Sequence, residues 1–129
     1  MTETKLHTLH VTERIKSKKL IDRLFEKEST SIVAFPFRVV YLKVEKSSAP
    51  VSILISVPKK RFHHAVDRNR IKRQVREAFR LQKQTLINQM ADADFSFVIG
   101  FICISSQHST TATVEKSMKK TLSHISSLL

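Results

Sequence analysis

The chain has 129 residues, of which 23 are Lys or Arg and 11 are Asp or Glu, for a net charge of +12 at pH 7. Its 41% hydrophobic content supplies one core and excludes a chain disordered by composition. So large an excess of one sign repels itself and calls for a polyanion, with nucleic acid ahead of a membrane surface. The single cysteine, Cys103, lies in an apolar run, cannot form an intrachain disulfide, and reads as an inert buried thiol in a reducing cytoplasm. Met1 to Lys19 lacks the apolar core of a signal peptide, and no stretch approaches the ~20 apolar residues of a membrane span. Neither export nor membrane association is therefore expected.

In chain order, residues 17–27 read as a short helix. Ser17 is its cap, and Leu20, Ile21, Leu24 and Phe25 share one side. Residues 32–45 are rich in strand formers, with Pro36 breaking the run. Ser47 to Pro50 reads as a turn, and Val51 to Val57 as a strand ended by Pro58. Residues 65–88 carry a helical period. Asn88 to Asp94 is a polar connection, and Phe95 to Ile104 is apolar enough for a central strand buried on both faces. Residues 110–128 form a last helix, with Val114, Met118, Leu122 and Ile125 on one face. One glycine, three prolines and no repeat argue for a single domain, residues 1–129, of α+β class in the order αβββαβα.

The informative stretch runs from the end of the Val51–Val57 strand into the long helix that follows it. Lys59, Lys60, Arg61, Arg68, Arg70, Lys72, Arg73, Arg76, Arg80 and Lys83 face only Asp67 and Glu77 in the same segment. At about 100° per residue, Ile71, Val75, Ala78, Phe79 and Leu86 share the core face. Asn69, Arg73, Arg76 and Arg80 form a second stripe, flanked by Lys72 and Lys83 and placed to line a groove edge for RNA. An ordinary solvated face would mix Glu with Lys at i,i+4, and a helix start favours acids over cations. Arg68, Arg70, Lys72 and Arg73 break that rule, and Arg suits bidentate phosphate contact.

Lys59-Lys60 followed by Ala65-Val66-Asp67-Arg68-Asn69-Arg70-Ile71-Lys72-Arg73, continued by Arg76-Glu77-Ala78-Phe79-Arg80, closely resembles the signature of the bacterial ribonuclease P protein component. The likeness is strong over about residues 51–82. It implies an α/β sandwich with a left-handed crossover through the basic helix. It also implies a protein that binds a catalytic RNA subunit and assists removal of the 5′ leader from precursor tRNA. Catalysis then belongs to magnesium ions on the RNA, and the protein needs no cofactor and no obligate protein partner. The resemblance turns the basic helix toward the RNA subunit and gives the single-stranded leader a cleft between the first helix and the sheet. Phe25 matches an aromatic position of that cleft, Ile21 stands where many members have another aromatic, and Val39 or Tyr41 supplies the strand side. Plain core packing is the other reading of Ile21 and Phe25.

Other residues carry less. His7 and His10, or the adjacent His63 and His64, lack the Cys or acid partners of a zinc set. Asp92 and Asp94 lack the further carboxylates of a two-metal nuclease and read as a polar loop. No Ser or His stands in a nucleophile-elbow context, so no catalytic residue is expected in the protein. A ribosomal or RNA-chaperone protein shares the charge but not the extended motif.

Overall fold

The computed structural model describes residues 22–24 and 29–129; residues 22–24 are helical. Ser17, Leu20, Ile21, Phe25 and most of the expected first helix lie outside the described residues.

Two strands flank the Phe35-Pro36 turn: β1 (Thr30–Ala34) and β2 (Phe37–Glu45). Pro36 has no N–H to give the ladder, which is why the run divides there. Next come β3 (Val51–Ser56), the basic helix α1 (Ala65–Gln82), a short α2 (Gln84–Gln89), β4 (Phe95–Cys103) and α3 (Thr111–Ser126). The sheet order is β1-β2-β4-β3. β2 is antiparallel to β1 and β4, whereas β3 and β4 are parallel, so the chain must cross over between them through α1 and α2.

β4 is an interior strand beside β2, as its unbroken apolar run requires. Phe97, Ile99, Phe101 and Cys103 face α1 and α3, where they meet Phe37, Val39, Tyr41, Ile53, Ile71, Val75, Phe79, Val114, Met118, Leu122 and Ile125. Val98 faces the other way, with Val40, Leu42, Val44 and Leu24. The sheet therefore has apolar contacts on both faces.

The expected helix over residues 65–88 is two helices meeting at Lys83. The hydrogen bonds continue through the junction, with Lys83 N–H donating to Phe79 O at 2.9 Å and Ile87 N–H to Lys83 O at 3.0 Å. Leu86 and Met90 beyond the junction are both buried. The start of α3 is capped by Thr110, whose hydroxyl accepts from the Thr113 N–H at 3.2 Å. Two small polar residues on its buried face satisfy their hydroxyls, Ser117 against β1 and Thr121 within the helix. The Ser117 hydroxyl donates to Ala34 O at 2.6 Å, and the Thr121 hydroxyl to Ser117 O at 2.9 Å.

Candidate nucleic-acid interface

α1 buries Ile71, Val75, Ala78 and Phe79, as its periodicity requires. Asn69, Arg70 and Arg73 are exposed, and Lys72, Arg76 and Arg80 are half-buried. A rotation of about 100° per residue sets Asn69, Arg73, Arg76 and Arg80 on the outer surface of the helix, leaning to the Lys72 side. The opposite flank faces α3 and is mixed in sign. There a groove of about 290 Å³ is lined by Arg73, Gln74, Glu77, Ala78, Thr111 and Glu115. Its two carboxylates disfavour a polyanion, and of the basic stripe Arg73 alone borders it.

Arg80 and Arg68 illustrate two different kinds of protein partner. Arg80 Nε donates to Glu77 Oε2 at 3.0 Å. That bond holds the Glu77 carboxyl below its usual range and the guanidinium above its own. Arg68 Nη1 donates to Phe62 O at 2.9 Å and to His63 O at 2.8 Å. A cation near a helix start is locally unfavourable, and these two carbonyls compensate it. Arg68 thus positions the loop that carries Lys59, Lys60 and Arg61.

The loop is anchored further. Arg61 N–H bonds Pro58 O at 3.0 Å. Phe62 is buried with its ring centroid 4.8 Å from that of His108. His108 Nε2 in turn lies 3.0 Å from Asp67 Oδ1 in the first turn of α1. Lys59 and Lys60 are exposed on this fixed base, and Arg61 is half-buried. The N-cap residue His64 makes no side-chain capping bond. His63 and His64 are both exposed.

The strand candidates for the leader cleft separate. Val39 is 0% exposed within the core beneath the helices, so no base can rest on it. Tyr41 is on the same sheet face and 8% exposed. Its ring borders a groove of about 420 Å³ with Thr30, Leu42, Lys43, Phe97 and Leu128. Its hydroxyl lies 2.9 Å from His124 Nε2 on α3. Lys43 Nζ stands 4.5 Å from the Phe95 ring centroid at the same end of the sheet. Lys43 and His124 had no motif to mark them; alternation along β2 and the position of His124 one residue before Ile125 were their only signals. Ile21 and Phe25 lie outside the described residues.

Asp92 and Asp94 are exposed in the turn before β4. Among the described residues no group of three or more His, Cys, Asp or Glu is placed to hold a metal ion. Among the same residues, no helix is long and apolar enough to cross a membrane.

The ribonuclease P family model matches residues 9–126. The chain is 40% identical over 126 residues to the ribonuclease P protein component of Porphyromonas gingivalis, covering 97% of this chain and 91% of that protein. It is 34% identical over 94 residues to the ribonuclease P protein component of Chlorobaculum tepidum, covering 70% and 61% respectively. Of solved structures, the ribonuclease P protein from Thermotoga maritima superposes with a TM-score of 0.63 at 25% identity, covering 87% of this chain and 96% of that one.

Proposed function

This chain belongs to the ribonuclease P protein family, and from that premise we propose how its surfaces serve the ribonucleoprotein. It is a protein component of an endoribonuclease of tRNA processing, and its partner is an RNA subunit. The outer face of α1, with Asn69, Arg70, Lys72, Arg73, Arg76 and Arg80, contacts that RNA together with Lys59, Lys60 and Arg61. Arg68 contributes mainly by holding the loop. One observation carries this division: the cations stand on the outer face of a helix whose opposite face is locked in the core. Such a helix presents charge to phosphates with little ordering cost.

The 5′ leader of precursor tRNA takes the groove bordered by Tyr41; Phe25 and Ile21 flank Leu24 in sequence, and Leu24 packs on the opposite sheet face, so they contact the leader apart from that groove. Unpaired bases stack on aromatic rings without regard to sequence, which suits leaders that vary. Phosphodiester hydrolysis falls to magnesium ions held by the RNA subunit, which stabilise the charge of the transition state. The protein works as one RNA-binding domain in the cytoplasm, away from the membrane, and binds no cofactor of its own.

The test is precursor-tRNA cleavage in magnesium with the protein, the RNA subunit, or both. The protein alone should not cleave, and its addition should raise cleavage by the RNA. Cleavage by protein alone, or no stimulation, rejects the reading. For the leader, Phe25→Leu should weaken precursor binding and leave mature tRNA binding nearly unchanged. Equal losses for the two RNAs remove Phe25 from the leader contacts.

A further inference from the structure

At the end of the sheet where α1 begins, a large aromatic side chain stands in the open. Phe35, at the tip of the turn joining β1 and β2, is 62% exposed, and Val33 beside it is 58% exposed. Scattered exposed apolar residues are ordinary, but here Phe35 and Val33 stand together at the hairpin tip, and cations lie close by.

The register identifies its neighbours. Val33 pairs with Arg38, Arg38 with Ile102, and Ile102 with Ser56, forming one row across the four strands. Ile104 N–H bonds Pro36 O at 3.0 Å, bringing the chain after β4 against the turn. From Ser56 the chain runs straight into Pro58, Lys59, Lys60 and Arg61. Strand spacing of about 4.8 Å puts this basic loop roughly 10–15 Å from Phe35, a distance that a few nucleotides of single strand cover. Arg38, exposed on β2, lies between them.

We propose that Phe35 is a stacking platform for an unpaired base of the RNA subunit, with Arg38, Lys59 and Lys60 holding the adjoining phosphates. This rests on the ribonuclease P reading and extends the RNA surface beyond α1 to the hairpin tip. A second copy of the chain is a poorer occupant. It would bring Arg38 and the Lys59–Arg61 loop against their own like charges. The β1 edge is also partly closed to strand addition. Val33 O already accepts from Lys120 Nζ at 2.8 Å, and Ala34 O from the Ser117 hydroxyl. The leader is a poorer occupant as well, because the Tyr41 groove opens toward Lys43 and Phe97, at the other end of the sheet.

The chain contains no tryptophan, so Phe35→Trp supplies a single fluorophore at the proposed contact. With the full chain and its RNA subunit, Phe35→Ala and Phe35→Leu should weaken binding by roughly 5- to 150-fold, the range of one base–aromatic stack. Phe35→Trp should bind like the unsubstituted chain, with its fluorescence quenched by the RNA. The dependence of log K on log salt should be the same for all three, because Phe35 neutralises no phosphate, whereas Lys60→Ala should flatten it. Undiminished affinity for Phe35→Ala or Phe35→Leu, or an unquenched Trp in the complex, overturns the platform. A loss confined to precursor tRNA, with RNA-subunit affinity intact, overturns the choice of partner. Failure of the unsubstituted chain to bind the RNA subunit rejects the ribonuclease P reading itself, and the platform with it.

Discussion

Gly100 is the only glycine in the chain, and it sits on β4 where Leu24 approaches the sheet. A methyl group there would meet Leu24 Cδ2 at 2.9 Å and Val40 Cγ2 at 3.0 Å. Leu24 is fully buried, so its side chain yields only by repacking. Gly100→Ala should therefore destabilise the fold by about 1 kcal/mol or more, as overpacked cores do, and lower Tm by several degrees. An unchanged Tm would show that Leu24 moves aside freely. Cys103, on the same strand but the opposite face, makes a second residue-scale prediction. Burial pushes its thiol pKa up, and the charge of Arg61 only partly opposes this. A raised folded pKa means that the unfolded chain loses the proton first as pH rises. The thiol's contribution is thus complete below about pH 8.5 and declines above it. The Tm advantage of the wild type over Cys103→Ala should shrink between pH 7.5 and pH 9.5. A constant gap would mean that the thiol titrates alike in both states.

At the level of the element, α1 combines two kinds of arginine that look alike in sequence. Arg73, Arg76 and Arg80 project from the outer face, and their replacement by Ala leaves the buried seam of Ile71, Val75, Ala78 and Phe79 untouched. Folding should be nearly intact. RNA affinity should fall, and the salt slope should drop by roughly 0.7 to 0.9 for each phosphate no longer neutralised. Arg68 differs because its guanidinium holds two loop carbonyls. Arg68→Ala should cost about 1–2 kcal/mol of stability and loosen the Lys59–Arg61 loop as well. Melting curves and salt titrations on both variants separate the roles. A destabilised triple variant, or an unaffected Arg68→Ala, would reverse the assignment.

On the scale of the whole molecule, the sheet divides the surfaces. α1 and α3 cover one face, Leu24 packs on the other, and the two ends of the sheet carry the basic loop with Phe35 and the Tyr41 groove respectively. Asp92 and Asp94 belong to neither surface, being exposed in the turn between α2 and β4. Their joint replacement by Ala should leave single-turnover cleavage by the reconstituted enzyme within a few-fold of wild type. A loss of several orders of magnitude with RNA binding unchanged would give the protein a part in the chemistry.

Local periodicity was enough to read the buried stripes of α1 and α3, the division of the first β-run at Pro36, and the interior place of β4. Each of these depends on a repeat of 3.6 or 2 residues, or on a proline's missing N–H, which neighbours in sequence carry by themselves. The basic stripe and the Lys59-to-Arg80 motif were legible for the same reason, and the motif sufficed to place the chain in its family. The parallel pairing of β3 with β4 joins segments about forty residues apart, and alternation within a strand says nothing about which strand lies alongside. The packing of α3 on the sheet decides that Val39 is sealed beneath the helices while the Tyr41 hydroxyl meets His124 at the border of a groove, and the parallel pairing fixes which end of the sheet the chain leaves β3 from. That pairing gathers Phe35, Arg38 and Lys59 at one end of the sheet. Tertiary packing likewise decides that Arg68 is a tie and Arg73 an outward-facing cation, because a side chain's partners are set by what the fold brings within about 3 Å of it.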